Sequence, residues 1–253
     1  MENLDKKKVH IKWGYELQSP EGIWVNSYSP EIRISIDQFE AADYLILYES
    51  KSIVPHLYSR VNSLKGNYKK VFTHDLSICD GSNIVYMPPF IPPWVDKNSE
   101  AKIYDKTELV SMIASVKNMC DGHRYRQEIA NDFPYKDHLY GFGRIEIPRK
   151  VEGLKKYMFS VCMENSVYDT YYTEKLLDCF LTGTIPVYWG SKKIGDIFNS
   201  KGVLWVDEIN IKDLNEELYY SMLPYVKENF EIAMNLKSTS GDMIDYIVKN
   251  YGI

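Results

Sequence analysis

Apolar positions along this chain recur at two spacings. Short runs rich in β-branched and aromatic residues, Val9 to Trp13, Tyr44 to Tyr48 (YLILY), Lys70 to Thr73 (KVFT) and Asn83 to Met87, predict strands. Between the second and third of these, Ile53, Leu57, Val61 and Leu64 fall at intervals of four, four and three. That spacing predicts a helix whose stripe covers a sheet face, with Pro55 in the first turn, where proline is tolerated. Strands alternating with helices point to an α/β fold.

The pattern breaks at Pro88 to Trp94 (PPFIPPW), where four prolines in six positions end any regular element. Residues 88 to 105 therefore read as a connector between an N-terminal domain, 1–95, and a second domain, 105–230. The second half restarts with a strand at Leu109 to Ala114 and a helix from about His123 to Asn131. The alternation continues through His138 to Tyr140, a helix around Val151 to Lys156 and a strand at Met158 to Met163. From Asp213 onward the spacing is helical, with Leu214, Leu218, Met222, Tyr225, Phe230 and Met234 as the expected apolar face, and 231–253 forms the C-terminal helical segment.

The densest chemistry lies in Phe159 to Ser191, which reads as strand, loop, helix, turn, strand. Thr173 is a good N-cap, Glu174 and Lys175 open the helix, and Leu176, Leu177, Phe180 and Leu181 form its buried stripe. Gly183 ends it, and Ile185 to Trp189 returns as a strand. In open α/β sheets ligands sit at the loops that follow the strands. Here the connection brings together Glu164, Asn165, Ser166, Tyr171, Tyr172 and Glu174. Amides and dipole at residues 173 to 176, together with Lys175, suit an anion such as a diphosphate. A Thr-Glu pair also serves as a plain cap, so the polar crowding of the loop, rather than the cap, carries this reading.

Composition narrows the setting. The chain has 30 basic and 35 acidic side chains, net −5, which lacks the overall basic footprint of a protein that grips nucleic acid by charge alone. Basic stretches at Arg144 to Lys156 and Lys192 to Lys193 leave a local patch open. Tyrosine is abundant at 21 residues, which suits a sugar- or base-binding surface and equally suits sheet edges. The four cysteines contain no C-x-x-C pair and read as reduced thiols rather than as a metal or disulfide framework. The N-terminus shows no apolar leader and no run long enough to span a membrane, so a soluble, cytoplasmic protein is expected. No structural metal or other cofactor is expected either: the five histidines are scattered and no D-x-D motif occurs.

MENS followed by YYTEKLLDCFLTGTIPVYWGS resembles the signature of the α-1,3-fucosyltransferases of glycosyltransferase family 10. A weaker likeness reaches back through LVSMIASVKNMCDGHRYRQEIANDFPYKDHLYGFG to Leu109. The resemblance implies a GT-B architecture, two Rossmann-like domains facing a cleft, with a C-terminal helix that returns to the first. It implies inverting, metal-independent transfer of fucose from GDP-fucose to a hydroxyl of an acceptor glycan. Carried over by position, Glu174 would contact the transferred sugar and Lys175 the diphosphate. Asn165 and Tyr172 fall at donor-contacting positions, and Arg126, with Arg124 two residues away, matches the diphosphate-binding arginine.

The family places its general base, a glutamate, in the N-terminal domain. The matching stretch here reads Val71-Phe72-Thr73-His74-Asp75, without that glutamate. Asp75 is the candidate base, with His74 and Glu49 behind it, since all three follow expected strand ends. A strand-end His or Asp is as often a cap or turn residue. Two further readings stay open: the same fold with another donor or acceptor, such as a modified nucleic-acid base, and a catalytically silent nucleotide-sugar or glycan-binding module.

Overall fold

The computed structural model describes residues 9–13 and 32–251, and the chain divides into two compact units, 1–90 with 240–253 and 91–239. Among the described residues, unit 1 holds five strands: β1 (Val9–Trp13), β2 (Ile32–Ile36), β3 (Tyr44–Leu47), β4 (Lys70–Thr73) and β5 (Ile84–Tyr86). All pair in parallel, in the order β1-β2-β3-β4-β5. Strand β2 is one that the pattern of runs and turns does not single out. Helix α1 (Pro55–Leu64) packs Leu57 and Val61 against Leu45, Leu47 and Val71 on one face of the sheet. Pro55 sits at its start, as its fixed φ allows.

Unit 2 contains β6 (Glu108–Ile113), helix α2 (Asp121–Asp132), β7 (Leu139–Tyr140), β8 (Tyr157–Met163), helix α3 (Glu174–Leu181), β9 (Ile185–Trp189), β10 (Leu204–Trp205) and helix α4 (Glu216–Asn235). Its sheet is also parallel, in the order β10-β9-β8-β6-β7. All seven residues of β8 are buried, as expected for a central parallel strand covered on both faces. Phe159, Val161 and Met163 face α2 and α4, while Cys162 faces α3. The chain runs from β6 outward to β7, then crosses back to β8 on the other side of β6. That reversal parts the loops after β6 and β8, which is where such sheets open a crevice for ligands.

Three local expectations change. The stretch around Val151 to Lys156 is a single 3-10 turn, Lys150–Gly153, not a helix, because β8 begins at Tyr157 and leaves no room for a second turn. The C-terminal helical segment begins later than the expected 231: α4 ends at Asn235, and α5 (Ser240–Tyr251) belongs to unit 1, where Met243 and Ile247 cover the second face of the sheet. The buried stripe of α4 is Tyr219, Met222, Val226, Asn229 and Ala233, shifted round the helix from the apolar face read off the sequence. Asn229 explains the shift: its side chain bonds both the N–H and the carbonyl of Asn199, so a polar group is buried with both needs met. Among the described residues no helix is long and apolar enough to cross a membrane.

Candidate active site

The loops after β6 and β8 carry the polar cluster of unit 2. Strand β8 is followed by Glu164, which is fully buried and whose N–H bonds the Trp189 carbonyl of β9. Its carboxylate accepts from the Thr173 amide at 2.8 Å, the Thr173 hydroxyl at 2.6 Å and the Tyr188 hydroxyl at 3.3 Å. These bonds close the 164–173 loop and seat the N-cap of α3. Thr173 caps as its sequence position suggests, accepting from the Lys175 amide. Of the amides at 173 to 176 expected to suit an anion, that of Thr173 is taken up by Glu164.

Lys175 extends its ammonium to 3.1 Å from the Thr173 hydroxyl, 3.2 Å from Glu174 and 3.7 Å from Glu164. One turn along α3, Asp178 is fully buried. It accepts from the Val95 amide at 2.9 Å and pairs with Lys150 at 2.8 Å, and the same ammonium lies 3.6 Å from Glu174. Burial pulls the Glu174 carboxyl upward, but Lys175 and Lys150 outweigh it and hold it at about 2. Burial raises Asp178 against the attraction of Lys150. Burial also acts on Lys150, where Asp178 and Glu174 prevail and raise it above an ordinary lysine.

Across the crevice, α2 begins against the same loop. An added Cβ at Gly122 would lie 2.4 Å from the Asn165 carbonyl oxygen, so only glycine lets the helix approach this closely. Arg126 donates to the Met163 carbonyl at 2.6 Å and to Asn165 Oδ1 at 2.8 Å. His123 Nδ1 accepts from the Met119 amide at 3.1 Å, so its Nε2 carries the proton and donates to the same Asn165 oxygen at 3.1 Å. Burial, followed by the nearby Arg126 charge, lowers the His123 pKa and keeps the ring neutral at pH 7. Two donors on one amide oxygen fix the Asn165 flip and turn its NH₂ away from them.

The structure thus brings Glu174, Lys175, Asn165 and Arg126 to the switch point of one sheet. Arg126 is 5% exposed and already bonded, whereas Arg124 is exposed and pairs with Asp121. Tyr172 is buried, its ring edge-on to Phe198 in the core. Sequence reasoning passed over His123, Lys150 and Asp178. A signal for the last was present: a charged residue inside the apolar run LLDCFL has to be paired if the helix is buried. Lys150 stood in a basic stretch that reads as a solvated face.

Asp75 and His74 lie in unit 1, after β4, and both are 1% exposed. His74 Nε2 donates to the Tyr48 carbonyl at 2.7 Å, and burial lowers its pKa. Asp75 accepts from the Ser77 amide and hydroxyl at 2.9 and 2.6 Å, capping a 3-10 turn, with Lys51 at 3.3 Å from its other oxygen. Burial raises its pKa, but the Ser77 bonds and Lys51 outweigh this and leave it lowered. Glu49 follows β3, with its amide bonded to Asp37.

Residues 103–224 match the family model described as glycosyltransferase family 10 (fucosyltransferase) C-term. Over 88 residues, 35% of this chain, the sequence is 33% identical to an alpha-(1,3)-fucosyltransferase FucT of Helicobacter pylori, covering 18% of that protein. Over 95 residues, 32% of this chain, it is 30% identical to a putative fucosyltransferase R654 of Acanthamoeba polyphaga mimivirus, covering 16% of it. The chain thus spans under a fifth of the length of these curated relatives. In fold it is similar to the crystal structure of TarM, with a TM-score of 0.54 at 12% identity, over 86% of this chain and 54% of that one. The likeness is of the GT-B, α/β kind expected from the sequence.

Proposed function

With residues 103–224 forming a glycosyltransferase family 10 C-terminal domain, we propose that this protein is an inverting fucosyltransferase, moving fucose from GDP-fucose to a hydroxyl of an acceptor glycan. The observation that carries the reading is the Glu174–Lys175 pair at the switch point of the unit 2 sheet, with the Glu174 carboxyl held down at about 2 and Lys175 beside it.

The roles follow from charge. As the glycosidic bond to the diphosphate breaks, negative charge grows on the leaving oxygens and positive charge on the sugar ring. Lys175 offers an ammonium to the first. Arg126 adds a second cation and fixes Asn165, whose NH₂ is available to a donor group. Glu174, ionised across the working pH range, stabilises the oxocarbenium-like centre. The acceptor hydroxyl must lose its proton, and on the resemblance this falls to Asp75, an ionised carboxylate able to act as base. His74, with its Nε2 proton bonded to a carbonyl, acts behind it by holding the strand ends together. The reading requires no resident cofactor: the sequence has no D-x-D motif, and protein cations supply the charge that a metal supplies in other transferases. Four free thiols, three of them buried, suit a reducing, cytoplasmic setting.

The test is a panel of GDP-, UDP-, CMP- and dTDP-sugars with a mixture of glycan acceptors in chelator, scoring released nucleotide by mass. GDP release from GDP-fucose is expected, reduced about 10²- to 10³-fold in Lys175→Ala. Release from another donor would discard fucose. GDP binding without release would instead establish a binding module.

A further inference from the structure

Lys150 belongs to the polar cluster, no step above uses it, and its position is unusual. It stands on the 3-10 turn that precedes β8, outside both the 164–173 loop and α3. Its ammonium nevertheless reaches across to α3, 2.8 Å from Asp178 and 3.6 Å from Glu174, and only 17% of its side chain is exposed. Glu174 and Asp178 are one helical turn apart, so their side chains share a face and repel unless a cation lies between them. Asp178 is in turn anchored by the Val95 amide at 2.9 Å.

We infer that Lys150 is a positioning residue for the donor site: its ammonium ties the Glu174 carboxylate to the fully buried Asp178 and so fixes where Glu174 meets the transferred sugar. The inference rests on the fucosyltransferase reading for the identity of that sugar. The anchoring geometry is independent of it. Lys175 also lies beside Glu174, at 3.2 Å, but its ammonium is shared with Thr173 and Glu164, and it is Lys150 that bridges Glu174 to Asp178. Nor is Lys150 only a counterion for Asp178, since a lone partner would not need to lie within 4 Å of a second carboxylate.

The charged groups that set Glu174 are Lys175 and Asp178 on its own helix, Lys150 from the turn, Arg126 from α2 and Glu164 at the end of β8. Removing Lys150 takes away one of the two cations that oppose burial, so the carboxyl must titrate at higher pH. Because the ionised form is the active one, the acidic limb of the rate profile moves up with it.

The test compares wild type, Lys150→Met, Lys150→Arg and the double variant Lys150→Met/Asp178→Leu. For each, kcat and KM for GDP-fucose are measured in brief assays from pH 2 to 9, a range that includes the Glu174 limb at about 2, with thermal unfolding alongside. Lys150→Met should lower kcat about 10- to 100-fold with less than about threefold change in donor KM, as for a misplaced group acting mainly in the transition state. Its acidic limb should rise by about one pH unit. Lys150→Arg should recover most of the rate. In the double variant no buried charge is left unpaired, so stability should return while the kcat loss and the shifted limb persist. Recovery of kcat in the double variant, or an unchanged rate and limb in Lys150→Met, overturns the inference. The Glu174 carboxyl ¹³C resonance, assigned with Glu174→Gln, gives a readout that needs no turnover and should titrate higher in Lys150→Met. If wild type releases no nucleotide, the fucosyltransferase reading fails, and this titration still decides whether Lys150 controls the carboxylate; an unmoved titration overturns the inference.

Discussion

Both units place carboxylates at the C-terminal ends of a parallel sheet, and Asp37 in one and Glu174 in the other are held in opposite ways. In unit 1, Asp37 ends β2 at φ 52°, a backbone region that Asp tolerates better than most side chains. Its two oxygens accept the Tyr48 and Glu49 amides at 2.8 and 2.9 Å. Burial dominates over those two bonds, and its pKa rises to about 7. In unit 2, Glu174 is also largely buried, but two lysines oppose the desolvation and bring it down to about 2. Amide bonds hold a carboxylate in place without matching its charge, whereas paired cations keep it charged. The unit 1 strands run in sequential order and their polar ends bond back to their own loops. The strand order of unit 2 reverses between β6 and β8, and the charges gather where the loops after those strands part.

The largest effect that tests this contrast is the sign of the pH dependence. Asp37, raised above its unfolded value, gives stability that is fully present below pH 4 and is lost as pH rises to about 7, on the order of 4 kcal/mol. Glu174, depressed, gives stability that is present above pH 4 and is lost as pH falls through about 2. Hydrogen exchange should therefore show unit 1 amides gaining protection between pH 7 and 5 in wild type, with the slope absent in Asp37→Asn. Asn accepts the same φ. Unit 2 amides should lose protection only in stronger acid. The same sign in both units would end the comparison.

A smaller effect separates the two arginines of α2. Arg126→Ala removes the donor that fixes Asn165 and leaves the Met163 carbonyl without it, and nucleotide affinity should fall about tenfold to a hundredfold. Arg124→Ala touches only an exposed pair with Asp121 and should change affinity and stability by less than about 0.5 kcal/mol. Calorimetry with GDP distinguishes them, and a larger loss in Arg124→Ala would move the diphosphate contact to that residue. The smallest change is Ser77→Ala, which removes one hydroxyl donor from Asp75 and should cost about 1 kcal/mol in urea unfolding. If transfer falls further than stability, Asp75 is acting on substrate as well as capping its turn.

Much of the architecture was readable before any coordinates. The alternation of YLILY, KVFT and MFSVCM with helical stripes gave α/β, and TEKLLDCFLTG gave α3 with its Thr173 cap and Gly183 stop, because these are local properties of spacing and capping. The site was legible where its residues sit together in one loop, Asn165 to Lys175. It was not legible where the partners come from elsewhere: His123 and Arg126 lie 42 and 39 residues from Asn165, and Val95 lies 83 residues from Asp178.

The sequence by itself determined most of the strands and helices, β2 apart, where α3 starts and stops, and that one connection concentrates polar groups beyond what a turn requires. The tertiary structure alone decided which face of α4 is buried, since Asn229 finds both its partners only on the Asn199 turn. It also decided that Glu174 stays ionised, since an ionised carboxylate out of water depends on cations that long-range packing supplies. Lys150 becomes such a cation only when the strand order of unit 2 brings its turn against α3.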